Sequence, residues 1–166
     1  MHRTIIYLFV LLGLGSLQAH NLNLSSTFLA EQEDKTWVLG IRASLTAFQY
    51  EVEYHYGENA YSSPEEFQEL VLKHVREHIS LTINDSDLVE LTYGIVKLGH
   101  ETQVLFKLSG ALEDLQSLKV VNTSFEDISR NQSIFLIFKE GIGRNQFILN
   151  EENGHMTNIK LGDSRF

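Results

Sequence analysis

Hydrophobic and polar residues alternate with a period of two over most of this chain. Leu22, Leu24, Ser26 and Phe28 take every second position, Glu31 to Lys35 are polar, and Trp37, Leu39, Ile41, Ala43 and Leu45 resume the alternation. Such spacing places one set of side chains on one face of a strand, so the segment predicts an opening β-hairpin with one apolar face. Further strands are expected at ISLTIN, DLVELTYGIVKLG, ETQVLFKLSG, SLKVVNT, SIFLIFKE and NQFILN, with turns at Asn84 and Asp85, Gly99, Gly110 and the Gly141 to Gly143 pair. One segment, SSPEEFQELVLKHVREHISL, follows a helical period instead. Ser62 or Ser63 can cap it, Pro64 suits the first turn, Glu65 and Glu66 complement the dipole, and Phe67, Leu70, Val71, Val75 and Ile79 form the apolar stripe. SFEDISRNQ is expected to form a helical turn between two strands. Together these elements predict a mainly β fold: a two-sheet antiparallel β-sandwich, Ig-like, with one amphipathic α-helix after the first hairpin. An open sheet backed by that helix is the alternative.

Composition narrows the setting. MHRTIIYLFVLLGLGSLQA has a short polar start with Arg3, ten apolar or glycine residues from Ile5 to Leu14, and small or polar residues up to Ala19. This is the pattern of a secretory signal peptide over residues 1–19, too short for a membrane span, which needs roughly 20 apolar residues. Cleavage after Ala19 leaves a single exported domain, residues 20–166, periplasmic or at the cell surface, with no transmembrane segment. Cysteine is absent, which excludes disulfides and thiolate metal sites. The formal charge of −9 becomes −10 when Arg3 leaves with the leader. A field of that sign repels phosphates, so nucleic acid is not an expected partner. Asn-x-Ser sequons begin at Asn23, Asn84, Asn122 and Asn131.

Three stretches carry candidate chemistry. In HVREH, His74 and His78 stand four apart, on one helix face, and Glu77 lies between them in the lettering of an inverted zinc-peptidase motif. A catalytic zinc needs a third protein ligand, and the downstream acids Glu151 and Glu152 fall in an apparent strand-to-strand turn. Packing explains the pair with fewer requirements: both imidazoles lie half-buried at the edge of the apolar stripe, near the negative end of the helix dipole. His20 is a second metal candidate. As a new N-terminus it offers an amino group and a ring nitrogen to copper, with a further histidine to be supplied from among His55, His74, His78, His100 and His155. The third stretch, YEVEYHY within Tyr50 to Tyr61, alternates as an edge strand with an aromatic face would. That face suits carbohydrate or protein contact, or packing against the chain's own helix. No G-x-S-x-G elbow, P-loop or dinucleotide fingerprint is present.

The order of pieces resembles an exported bacterial family, domain of unknown function 6702. The leader ending in Ala-His, the Ser/Thr-rich first strand, LVLKHVREHISLTIND and the closing LKVVNTSFEDISRNQSIFLIF and NQFILNEENGHMTNIKL carry the resemblance, with Asn122, Asp127, Phe147, Leu149 and Gly154 at the family's positions. The proline expected after the Asp127 region is absent. The resemblance implies a small exported β-rich domain facing the periplasm or surface of a Gram-negative cell, and carries over no catalytic residue. The expectation from the sequence is therefore a non-enzymatic binding or accessory domain of the cell envelope, acting on another envelope protein or a surface ligand. The alternative is a domain that binds copper or zinc through His20 or through His74 and His78, at the extreme a zinc peptidase.

Overall fold

The computed structural model describes residues 22–109, 115–139 and 145–161; the leader, His20 and the glycines at 110, 141 and 143 lie outside the described residues. Among the described residues the chain runs through β1 (Leu24–Glu31), β2 (Trp37–Ser44), α1 (Leu45–Tyr56), α2 (Pro64–His78), β3 (Ile79–Ile83) and β4 (Asp87–Leu88). It continues through β5 (Glu90–Lys97), β6 (Glu101–Ser109), β7 (Ser117–Asn122), β8 (Gln132–Phe138), β9 (Asn145–Leu149), a 3-10 turn at Glu151–Asn153, and β10 (Met156–Lys160). The strands form a six-stranded sheet, β5-β6-β2-β1-β8-β9, and a four-stranded sheet, β10-β7-β3-β4. The mainly β, two-sheet architecture follows from the period-two pattern. No helix of the described residues is long and apolar enough to cross a membrane.

Three features differ from the expectation. The strand orders are not those of an immunoglobulin sandwich, whose sheets run A-B-E-D and C-F-G. The sheets are not purely antiparallel, because β1 pairs in parallel with β8, Leu24 opposite Gln132 through Ala30 opposite Phe138. And two helices, not one, follow the first hairpin, since Leu45 ends the β2 alternation and YEVEYHY is helical rather than an edge strand. The local reasons for α1 are visible in its ends. Ser44 caps it by accepting from the Ala47 N–H at 3.1 Å, and Gly57, at φ 99°, stops it in a backbone region that favours glycine. Its buried face is Ala47, Phe48, Glu51 and Val52, helical spacing with a carboxylate in an apolar position. Helix α2 matches its forecast: Ser63 caps it, and Glu66 reaches back to accept from the Ser62 N–H at 2.6 Å.

One core joins the layers. Leu29, Trp37, Leu39, Ile41, Val104, Phe106, Phe135 and Ile137 from the large sheet meet Leu81, Ile83, Leu118, Val120 and Ile159 from the small one, with Phe48, Val52, Phe67, Val71 and Val75 from the helices. Each such side chain contributes on the order of 1.5–3 kcal/mol by leaving water. On the opposite face of the large sheet, Phe28 lies across Gly40, its partner in the β1–β2 register. A Cβ at Gly40 would fall 2.0 Å from the Phe28 ring.

The core also holds a polar tie between the sheets. Asn122, the last residue of β7, donates from Nδ2 to Thr27 Oγ1 at 2.9 Å and to Ser133 Oγ at 3.4 Å, on β1 and β8. Its Oδ1 accepts from the Ser124 N–H at 3.1 Å, which turns the chain out of β7. Asn122 and Asn131 are buried, so neither sequon is open to a glycan in the folded chain. Asn122→Ala leaves buried hydroxyls and an N–H short of partners. Urea unfolding is expected to show a loss of about 2–3 kcal/mol; a loss below about 0.5 kcal/mol would show that the tie is dispensable.

Candidate metal centre

Helices α1 and α2 pack against each other and against the crossover between β7 and β8, residues 123–131. Each contributes donors one helical turn apart, Glu51 and His55 from α1 and His74 and His78 from α2, because i and i+4 share a face. The crossover, wound by Glu126 N–H to Thr123 O and Ile128 N–H to Phe125 O bonds, adds Ser124 and Asp127. Phe125 anchors it edge-on against Phe48 of α1, ring centroids 5.0 Å apart.

The three imidazoles stand together. His74 and His78 stack at 4.2 Å between centroids, and His55 lies 5.0 Å from His74 and 4.9 Å from His78. One ring nitrogen of each lies within 4.8 Å of the others, as do donor atoms of Glu51, His55 and Asp127. Every ring is held through one nitrogen by an acceptor. His74 Nε2 donates to the Ser124 carbonyl at 2.8 Å, His78 Nδ1 to the His74 carbonyl at 2.8 Å, and His55 Nε2 to Asp127 Oδ2 at 2.9 Å. A carbonyl can only accept, so these bonds fix the tautomers and leave His74 Nδ1 and His78 Nε2 as lone pairs. The carboxylate bond does the same for His55, leaving Nδ1. Holding one ring nitrogen of a histidine in this way leaves the other available to an ion.

Buried groups without partners lie in the same place. Glu51 is fully buried, and neither of its carboxyl oxygens has a hydrogen-bond partner; Oε2 sits 3.6 Å from His55 Nε2 and 3.9 Å from His74 Nε2. His74 is also fully buried, and its Nδ1 has no partner. Burial, reinforced by the Asp127 and Glu126 carboxylates, pushes the Glu51 carboxyl up to about 8. Burial brings the His74 imidazole down to about 4, against the opposing pull of the Ser124 carbonyl and with help from His78 and His55. Both groups are therefore neutral near pH 7 in the metal-free protein.

The sequence-predicted residues are placed as follows. His74 and His78 come together as the HVREH spacing requires, but His74 is wholly inside rather than at the stripe's edge. Glu77 turns away: it accepts from the Tyr56 hydroxyl at 2.7 Å and pairs with Lys73 at 4.0 Å, which withdraws it from the peptidase role. Tyr56 is held protonated by burial and by that carboxylate. Glu151 and Glu152 are exposed in the 3-10 turn and belong to neither donor group; His100 and His155 do not either. The third imidazole is His55, and the carboxylates are Glu51 and Asp127. The spacing of Glu51 and His55 was the available signal, hidden by the Tyr50, Val52, Tyr54 and Tyr56 alternation that mimics a strand. Fold and site together define a small, mainly β, two-sheet domain whose two helices and β7–β8 crossover assemble a cluster of three histidines and two carboxylates. Neither a family model nor a curated protein matches the chain.

The two shifted groups act on stability with opposite signs. Glu51, raised in the fold, loses stability as pH rises from its unfolded value of 4.5 to about 8; His74, lowered, loses it as pH falls from 6.5 to about 4. Between pH 4.5 and 6.5 the slopes cancel. Metal-free protein is thus expected to lose on the order of 1–2 kcal/mol between pH 6.5 and 8 in urea titrations, and Glu51→Gln should abolish that loss. An unchanged alkaline slope in the variant would clear Glu51 of the effect.

Proposed function

We propose that this chain is an exported, non-enzymatic domain that holds one zinc or copper(II) ion on His55, His74 and His78, beside the buried carboxyl of Glu51. The observation that carries this reading is the pairing of three histidines oriented from behind with a fully buried carboxyl that has no hydrogen-bond partner. An isolated buried carboxyl and imidazole are costly, and a cation between them offsets that cost. Imidazole and carboxylate without thiolate suit zinc and copper(II). Export is supported by the leader pattern, and a periplasmic or surface setting in a bacterial envelope by the resemblance to domain of unknown function 6702.

Elemental analysis of the purified mature chain should find one zinc or copper per molecule, and adding the preferred ion should raise the unfolding midpoint by several degrees. His55→Ala should abolish stoichiometric binding as completely as His74→Ala, which separates the three-histidine site from a His74 and His78 pair. Protein that stays metal-free and unshifted in both ions would sink the reading.

A second reading, contact with an envelope protein or surface ligand, is favoured by one observation. Tyr50 and Tyr54 stack in parallel at 6.1 Å on the outer face of α1, 41% and 64% exposed. Under this reading Tyr50→Ala with Tyr54→Ala abolishes capture of a partner from envelope extract while leaving thermal stability unchanged; undiminished capture would refute it.

A further inference from the structure

Two donor groups overlap at His55. The inner one is His55, His74 and His78; the outer one is Glu51, His55 and Asp127. Exposure grades across them: the side chains of Glu51 and His74 are 0% exposed, those of His55 and Asp127 28% and 27%. His78 is partly buried as well; the pair His55 and Asp127 is a solvent-facing edge of the cluster, and Glu51 lies behind it, within 4 Å of both His55 and His74.

We infer that Glu51, His55 and Asp127 form a second, outer metal position through which a divalent cation reaches the inner histidines. This rests on the metal-binding reading of the inner group. Asp127 supplies a partly exposed carboxylate beside His55 Nε2, and an arriving hydrated cation displaces to water the proton that Nε2 donates to that carboxylate. Glu51 offers oxygens without hydrogen-bond partners to both sides of the cluster, so the cation exchanges donors without returning to solvent. His55 belongs to both sets, so the positions are filled in succession and one ion is bound at saturation. Exposed Glu126, next in the chain, adds negative potential at the same edge.

The test is stopped-flow zinc uptake by the mature protein, with release into a chromophoric chelator, comparing wild type with Asp127→Asn, Asp127→Glu and Glu126→Gln. A position on the route lowers the barrier in both directions. Asp127→Asn is therefore expected to slow uptake by about tenfold or more; because the same carboxylate also holds the His55 ring, affinity falls as well, and the uptake rate is the discriminating readout. Asp127→Glu restores that rate, and Glu126→Gln, which removes charge but no donor, changes it less than about threefold. If Asp127 merely orients His55, the Asp127→Asn variant keeps its uptake rate, releases zinc faster and loses about 10–100-fold in affinity; that result overturns the outer position. Equal slowing by Glu126→Gln overturns it too, in favour of general steering. Wild-type protein that takes up no zinc at all fails the inner site itself, a distinct outcome.

Discussion

The amide of Asn122 stands where the chain leaves the four-stranded sheet for the six-stranded one, and it binds both. Through Thr27 and Ser133 it is tied to β1 and β8, and through the Ser124 N–H it sets the first turn of the crossover. The Ser124 carbonyl that orients His74 and the Asp127 carboxylate that orients His55 lie on that crossover, two and five residues further along. A second set of bonds supports it from α2, where the His78 carbonyl accepts from the Thr123 N–H at 2.8 Å and its hydroxyl at 3.0 Å. Interior packing and donor geometry thus share one piece of backbone.

Glu51 shows which force prevails at the centre. Its neighbours on α1, Ala47, Phe48 and Val52, gain by leaving water, and helical spacing takes Glu51 inside with them. A carboxylate moved into that interior without a partner is far too costly to remain charged, so the group takes up a proton instead. His74 meets the same constraint and gives one up. Near pH 7 both buried groups of the metal-free cluster, Glu51 and His74, are thereby neutral. A divalent cation reverses this logic, favouring the carboxylate and the free imidazole lone pairs at once.

How far the sequence disclosed this structure depended on whether local pattern or tertiary context decided each element. The strands of the hairpin, the helix from Pro64 to His78 and its Ser63 cap were legible, since alternation and caps act within a few residues. The helix from Leu45 to Tyr56 was not, because Glu51 breaks its apolar stripe while four residues at even positions imitate a strand; the Ser44 and Gly57 ends were the clues. The parallel pairing of β1 with β8 leaves no mark in either strand, since period two is the same for both directions. For the centre, His74 and His78 were readable from their spacing, whereas His55 and Asp127 meet them only through the packing of α1 and the crossover.

The parallel β1–β8 ladder has a consequence for when the molecule becomes complete. Thr27 and Ser133, which meet within it, are 106 residues apart in sequence. Joining such distant segments costs loop entropy before any contact rewards it, which slows folding. One edge of β1 must wait for residues 132–138, and the crossover that orients two of the three histidines directly precedes them. An ion held with all three rings in place would therefore mark a chain that has finished folding, and a truncated or half-folded copy would have nowhere to keep it.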